Sequence, residues 1–426
     1  MTTAQELLRF LDEDQVRALQ DRFGTPLYVY DQATLEAQAQ QALQLPAPFG
    51  LTVRYAMKAC PSAGVLRVLT RGGLHIDASS GWEARRAIAA GVPAGHILLT
   101  AQQLPDDFEE LFALGVRFNA CSLGQLQACG ERFPGAEVGI RLNPGLGSGH
   151  SSRTNVGGPS ASFGIWHTHL ERVLEAARAY ELRITLLHTH IGSGSDPEVW
   201  QHCARLTLNL VRHLPDVTAV NLGGGYKIGR MSDETSTDLL HAAGPIVDEL
   251  RRFAADGGPR LRLEIEPGTF LVGNAGAVVA SVIDVVDTGK EGFSFIKTDT
   301  GMTEILRPSM YGAQHPLTVV PREDGDRPLR EYLVVGHCCE SGDILTPAPG
   351  DPEALRVRPL AEARVGDAVV IGGAGAYCAA MSAKNYNSFP EAPEVLLDKD
   401  GGFHLLRRRQ RLDQVIANES VPDFLL

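Results

Sequence analysis

Eight short β-rich runs, separated by stretches with helical spacing, fill residues 50–270 of this chain. That alternation limits the possible folds more than any other feature. The runs are LTVRYAMKA (51–59), GLHIDASS (73–80), HILLTA (96–101), VRFNACS (116–122), EVGIRLNP (137–144), RITLLHTHIG (183–192), AVNLGGG (219–225) and LRLEIEPG (261–268). Each begins apolar and turns polar or glycine-rich at its end. Strands alternating with helices pair in parallel, because a parallel neighbour is reached only through a crossover. After the second run, Ser80 is placed to cap a helix and Glu83 to complete a capping box. The helix then runs through Ala84, Ala87 and Ile88 to Gly91.

Eight strand–helix units in this length suit a (β/α)₈ barrel, for which ~250 residues is typical. A doubly wound open sheet satisfies the count equally. The chemical residues favour the barrel: Lys58, Asp77, His190, Gly223–Gly225 and Glu266 fall at or just past the carboxyl ends of different runs. A barrel gathers such positions on one face, whereas an open sheet scatters several of them.

Past residue 275 the texture changes. VVASVIDVVDTG, REYLVVGHCCE and VGDAVVIGG are β-branched runs, and EVLL-DKDGG-FHLL reads as a hairpin. The expected division is a barrel over 34–274 and a β-rich domain built from 1–33 and 275–426. The leading segment ends in TPLYVY (25–30), which lies before the barrel and is available to add a strand to it. One long irregular stretch, PGLGSGHSSRTNVGGPSAS (144–162), follows the fifth run and would overhang the presumed site.

Composition excludes some classes of partner. With 39 Lys+Arg against 51 Asp+Glu the net charge is −12, which argues against a nucleic-acid or anionic-membrane binder. The apolar stretch from Ala368 to Met381 is broken by glycines and is shorter than the ~20 residues of a membrane span. The start, MTTAQELLRFLDEDQ, has acids and no basic lead-in, unlike a secretory signal. Seven cysteines without a CxxC pair suggest neither a disulfide framework nor a zinc site, so the expectation is a reducing cytoplasmic compartment and no metal.

Individual residues carry more specific chemistry. Lys58 ends an apolar strand; it either extends its amine from a barrel end or forms a Schiff base, since an amine among apolar neighbours loses charge easily. Glu266 closes a buried strand before Pro-Gly and needs a cationic partner, either a protonated pyridine nitrogen or a neighbouring arginine. The glycines 223–225 let backbone N–H groups approach a phosphate, or simply form a turn. HTHIGSG (188–194) sets His188 and His190 on one face, with Ser193 following. Further metal ligands at matching spacing are lacking, and a ring stacked on a cofactor fits as well. Together these residues describe a pyridoxal 5'-phosphate site.

The chain also resembles a known family, the fold-type III pyridoxal-phosphate-dependent decarboxylases. The resemblance rests on YAMKA (55–59), DASSGWE (77–83), NPG-x-G-x-GHS (143–151), TN-x-GG (154–158), H-x-HIGSG (188–194), GGG (223–225), EIEPG (264–268), RP-x-x-YG (307–312), CESGD (339–343), GAY…MS…NYN (375–387) and PEVL (393–396). These cover nearly the whole chain in family order. The resemblance implies an alanine-racemase-like architecture, a barrel followed by a mostly-β domain, working as a homodimer with shared sites. It implies that Lys58 carries the cofactor, Glu266 binds its pyridine nitrogen and His190 stacks on its ring, with Asp77 beside them. Ser193, the glycines Gly223, Gly224 and Gly225, the backbone of Pro267, Gly268 and Thr269, and the Tyr377 hydroxyl would hold the phosphate. Arg307 and Tyr311 resemble the pair that binds a distal substrate carboxylate, and Tyr377 also borders the substrate. Cys339 and Glu340 would come from the partner subunit, as proton donor and as reader of the distal amine.

Ornithine decarboxylases usually carry Asp after this Cys and lack RP-x-x-Y. The implied reaction is therefore decarboxylation of meso-2,6-diaminopimelate to L-lysine and CO₂, the last step of lysine biosynthesis. The same fold acting on ornithine, arginine, carboxynorspermidine or another conjugate is the alternative. A catalytically silent regulatory homologue and a barrel aldolase without the cofactor are further ones. Two positions depart from the family. EPGR is EPGT here, so Thr269 replaces an arginine, with Lys227 the candidate substitute. MSAKNYN (381–387) is one residue longer than the usual MSSxYN.

Overall fold

The computed structural model describes residues 5–146, 157–190, 197–323 and 325–426. They form two compact units: Leu35–Ile228 with Thr235–Leu271, and Met1–Thr34 with Gly229–Glu234 and Val272–Leu426.

The first ten strands in chain order are β1 (Leu27–Asp31), β2 (Leu51–Ala56), β3 (His75–Ala78), β4 (Ile97–Leu99), β5 (Arg117–Ala120), β6 (Glu137–Asn143), β7 (Ile165–Trp166), β8 (Arg183–Thr189), β9 (Ala219–Asn221) and β10 (Arg262–Ile265). Parallel pairing runs β5–β4–β3–β2–β10–β9–β8–β6, and β6 pairs back onto β5 to close the ring. The eight strands of this closed barrel are the eight runs read from the sequence; β7 adds only a short parallel pairing on β6. Helices follow the strands, among them Ala63–Arg71, Gly81–Ala89, Leu123–Arg132, Leu170–Ala179 and Leu239–Ala255.

Helix Gly81–Ala89 starts as its sequence requires. Ser80 Oγ accepts the Glu83 N–H at 3.1 Å. The Glu83 carboxylate reaches one residue further back than a capping box needs, accepting the Ser79 N–H at 2.7 Å. Gly91, at φ +82°, lies beyond the last helical turn.

The barrel strands bury one ion pair completely. Arg54 and Glu264 are both fully buried, with Nε–Oε2 at 2.7 Å and Nη2–Oε1 at 3.1 Å. Arg117 and Arg262 approach the same carboxylate at 3.5 and 3.7 Å. A bidentate fork satisfies both oxygens, which is what makes two buried charges tolerable here. Arg54 and Glu264 sit within strands β2 and β10. Lys58 and Glu266 lie just past the carboxyl ends of the same two strands, where barrel chemistry is placed.

The second unit continues with β11 (Gly276–Asp287), β12 (Ser294–Thr298), β13 (Leu317–Val320), β14 (Leu329–Val335), β15 (Pro347–Ala348), β16 (Asp351–Leu355), β17 (Arg358–Ala361), β18 (Ala368–Ile371), β19 (Glu394–Leu397) and β20 (Phe403–Arg407). Its main sheet runs β17–β14–β12–β11–β1–β19–β20, with β18 also on β11 and β13 on β18. The β19–β20 hairpin expected from EVLL-DKDGG-FHLL is present, turning at Gly401 with φ +83°.

TPLYVY does not add a strand to the barrel. It forms β1, which pairs antiparallel with β11 (Leu27↔Val279) and parallel with β19 (Tyr28↔Glu394). A closed barrel has no free edge for a ninth strand. All five residues of β1 are buried, which a place between two neighbouring strands provides. Helix Glu13–Phe23 packs Val16 and Leu19 into the same core. Among the described residues no helix is long and apolar enough to cross a membrane.

Candidate active site

Six barrel strands deliver polar groups to the carboxyl-end mouth. Lys58 sits in a 3-10 turn, Met57–Ala59, directly after β2. Met57 and Ala59 are buried while Lys58 itself is exposed. An amine shielded among apolar side chains is therefore not what the structure contains, because the turn carries position 58 out of the strand. The surroundings of Lys58 are electrostatic instead: its charge acts on Asp77 in β3 and on Glu266 past β10.

Asp77 and Glu266 are buried and repel each other. Burial, then the charge of Glu266, push the Asp77 carboxyl up to about 7, against the pull of Lys58 and Arg141. Burial raises Glu266 too, opposed by Lys58, Arg141 and a hydrogen bond from Asn221. The geometry around Glu266 is tight. Asn221 Nδ2 donates to Oε1 at 2.6 Å and Asn221 Oδ1 accepts the Gly223 N–H at 2.8 Å. The Glu266 N–H donates to Gly223 O at 2.8 Å. A Cβ on Gly224 would lie 2.2 Å from Glu266 O, and one on Gly223 would lie 2.4 Å from His190 Nδ1. Only glycine allows this approach, and Gly223 and Gly225 have φ of +74° and +107°.

Beside them, His188 and His190 stack at 6.4 Å with 24° between ring planes, confirming their common face. Burial, then Arg141, hold both imidazoles well below their usual range, so both are neutral. Pro267 O accepts the Ala56 N–H at 3.2 Å, and Gly268 packs against Ala56 and Ala59 beside the lysine turn. Thr269 follows, half-buried at the start of Thr269–Val272. Lys227 is half-buried, and its backbone pairs with Thr237 in both directions.

Ser193 lies outside the described residues, as does 147–156 of the long loop. The described ends of that loop are tied by Asn143. Its Oδ1 accepts the N–H groups of Gly145 and Gly158, and its Nδ2 donates to Gly158 O at 3.0 Å.

The remaining expected residues belong to the second unit. Arg307 and Tyr311 begin and end one short helix, Arg307–Tyr311, stopped by Gly312 at φ +62°. Tyr377 holds φ +56°, a left-handed conformation costly for a non-glycine residue. Cys339 and Glu340 are exposed on the loop after β14. The Cys339 N–H donates to Asn387 Oδ1 at 2.9 Å. Asp343, buried beneath that loop, accepts the N–H groups of Met302 (2.7 Å) and Cys338 (2.9 Å). Asn385, Asn387 and Ser388, in and just past the lengthened MSAKNYN segment, all have positive φ. One of them, Asn387, holds the backbone of Cys339.

The sequence reading gave no role to Arg141, Asn221 or Asp343, and named His188 only as sharing a face with His190. Arg141 had a signal, a cation late in an otherwise apolar strand. Asn221 acts through the Glu266 carboxylate and the Gly223 backbone, and Asp343 through backbone contacts, none of which a spacing rule announces.

The mouth suits a planar, phosphorylated heterocycle. Asp77 Oδ1, Arg141 Nη2, His188 Nε2 and His190 Nδ1 are buried without hydrogen-bond partners, beside glycines whose backbone a phosphate can approach. Buried polar atoms of this kind call for a ligand to satisfy them. Among the described residues no group of three or more His, Cys, Asp or Glu side chains is arranged to hold a metal ion.

Comparison with known proteins agrees with this chemistry. The family model described as "Pyridoxal-dependent decarboxylase, pyridoxal binding domain" matches residues 32–273. The diaminopimelate decarboxylase of Escherichia coli K12 is 35% identical over 426 residues, covering 98% of this chain and 97% of its own. A crystal structure of a diaminopimelate decarboxylase superimposes with a TM-score of 0.88 at 34% identity, covering 96% of both chains. That of Helicobacter pylori diaminopimelate decarboxylase complexed with L-lysine gives 0.82 at 25% identity, over 94% of this chain and 98% of the other.

Proposed function

Because this chain belongs to the pyridoxal-dependent decarboxylases, we propose that it removes CO₂ from the D-configured centre of meso-2,6-diaminopimelate and releases L-lysine. The observation that carries the reading is the pairing of Lys58 and Glu266 at the ends of neighbouring strands β2 and β10. Pyridoxal phosphate, when bound, supplies the aldehyde that condenses with an amine and a ring that takes up electrons as CO₂ departs.

The chain's own residues divide the rest. Lys58 would hold the cofactor through its Nζ, the place that the substrate amine takes in turn. Glu266 keeps a proton on the heterocyclic nitrogen, since a buried carboxylate is stabilised by a facing cation. His190 stacks its neutral ring. Gly225, the backbone at Gly268, Ser193 and the Tyr377 hydroxyl hold the phosphate. Arg307 and Tyr311 bind the distal carboxylate, Glu340 the distal ammonium, and Cys339 Sγ returns a proton to the carbon that lost CO₂. The exposure of Cys339 and Glu340 supports their serving a second copy in a homodimer. We assign the enzyme to the cytoplasm, where its seven free cysteines stay reduced.

The test is CO₂ release from meso-diaminopimelate, ornithine, arginine and carboxynorspermidine by the cofactor-loaded protein. Diaminopimelate is the expected substrate. Lys58→Ala should abolish turnover together with borohydride-stable attachment of the cofactor. Turnover of ornithine or arginine in preference would replace the substrate assignment, and persistent attachment in the variant would mean another lysine serves.

A further inference from the structure

Two guanidinium groups of the second unit, Arg230 and Arg307, act on each other. Arg230 is 8% exposed. Its Nε donates to Gly373 O at 3.0 Å, and its buried Nη2 meets no acceptor. Arg307 Nη1 lies 2.9 Å from His315 Nε2, and His315 Nδ1 lies 2.9 Å from Gly372 O. A carbonyl only accepts, so His315 carries its proton on Nδ1 and receives the Arg307 N–H on Nε2. Successive carbonyls of one turn after β18 thus anchor both arginines, Arg230 directly and Arg307 through an imidazole. Gly373, at φ +63°, makes room: a Cβ there would fall 2.9 Å from Arg230 Cγ.

Among the described residues neither arginine forms an ion pair with a carboxylate. Glu234 is four residues away in sequence, but its Oε2 accepts the backbone N–H groups of Arg230 and Met231, at 2.7 and 3.2 Å. Arg9 adds a further cation, its Nη2 donating to Arg230 O at 2.5 Å. Burial, then the charge of Arg307, bring the Arg230 guanidinium down to about 9. Cys378, next to Tyr377, feels both arginines. A buried arginine with an open donor beside a second arginine carries a free-energy cost that a bound anion would offset.

We propose that Arg230 joins Arg307 in binding the distal carboxylate of the amino-acid substrate, its unpaired Nη2 supplying the donor that Thr269 lacks. The inference rests on the diaminopimelate reading above, and it gives the compensating role to Arg230 rather than Lys227. The shared chemistry is an oxyanion, which the cofactor's phosphate also offers. The carboxylate is favoured because the charge of Arg307, which binds it in the reading above, acts on Arg230.

The experiment compares wild-type holoenzyme with Arg230→Met, using L-lysine and 1,5-diaminopentane as competing ligands. L-lysine keeps the distal carboxylate, and the diamine has none. In Arg230→Met the KM for meso-diaminopimelate and the inhibition constant of L-lysine should rise about 10- to 100-fold, the range for a lost charge-assisted hydrogen bond. The diamine constant and the cofactor dissociation constant should not move. Unchanged L-lysine binding, or equal weakening of both ligands, overturns the proposal. So does loss of cofactor with L-lysine binding intact, which would assign Arg230 to the phosphate. If Arg230→Met fails to fold, Arg230→Lys keeps the charge but not the fork; a smaller loss confined to L-lysine is then expected, and wild-type constants overturn the proposal. A wild-type enzyme that neither turns over diaminopimelate nor binds L-lysine withdraws the functional reading itself.

Discussion

His188 Nε2 faces Glu266 Oε2 across 3.6 Å, and the far ends of both groups are fixed. Asn119 Nδ2 lies 2.8 Å from His188 Nδ1, which makes Nδ1 the acceptor and leaves the proton on Nε2. Asn221 grips the other oxygen of Glu266. The carboxylate therefore faces a neutral N–H beyond hydrogen-bond distance on this side, and this oxygen remains open to a cationic ligand atom. Glu266→Gln keeps the shape and loses the charge. The cofactor should remain bound while kcat falls by ~10²-fold or more, the scale of removing one preorganised electrostatic partner. Cofactor content by absorbance and steady-state kcat check this; an undiminished kcat would refute the role.

Asp77 gives the cofactor-free protein an unusual pH dependence. Its folded pKa is about 7 against an ordinary value of 3.8. Between these values the folded state holds a proton that the unfolded chain has released. The Asp77 contribution to stability therefore declines as pH rises across that window. Asp77→Asn should remove the decline, so the variant gains Tm relative to wild type at about pH 8 and little at about pH 4. Melting curves of the apoprotein at both pH values decide it, and a parallel offset at both would contradict the assignment.

The pair inside the barrel predicts a stability effect of opposite sign. Burial pushes the Glu264 carboxyl up, but the Arg54 charge and hydrogen bonds outweigh it and leave the group below its usual range. Its contribution is present above the ordinary carboxylate pKa and is lost as pH falls through the lowered one. Glu264→Leu strands a fully buried guanidinium and should cost about 3–5 kcal/mol in denaturant unfolding. Removing both charges, with Arg54→Met added, should recover most of that loss, since the penalty belongs to the unpaired ion. Additive losses in the double variant would show that the two residues act independently.

Asp343 should govern the proton donor without touching substrate. Cβ atoms built on Gly301 and Gly336 would both fall within 2.4 Å of its carboxylate, so the loop is moulded around it. Asp343→Asn turns an amide N–H toward one of the two backbone donors. A ~10-fold fall in kcat is expected, of the order of one charge-assisted hydrogen bond, with cofactor affinity unchanged. Stopped-flow separation of CO₂ loss from protonation should place the defect in the second step; a defect confined to the first would contradict it.

The strands were legible because each of the eight runs is apolar where it is buried and polar where it reaches the barrel mouth, as Lys58, Asp77 and Glu266 illustrate. The destination of TPLYVY was not legible. Five consecutive buried residues say that both faces are covered, but β11 and β19, which cover its edges, lie hundreds of residues away in sequence. Arg230 escaped for a related reason: its significance lies in what it lacks, and a missing counter-charge shows only in three dimensions. The lengthened MSAKNYN segment drew attention as an insertion. Its use, presenting Asn387 to the Cys339 backbone, depends on left-handed residues that the sequence only hints at through Asn.

Pro267 O and the Ala56 N–H join the last barrel strand to the first. A ribosome therefore finishes most of this enzyme before its two key reactive groups can become neighbours. Until that seam closes, a growing chain bearing the lysine has no acid across from it. Assembly of the reactive pair is thereby reserved for chains that already carry the eighth strand.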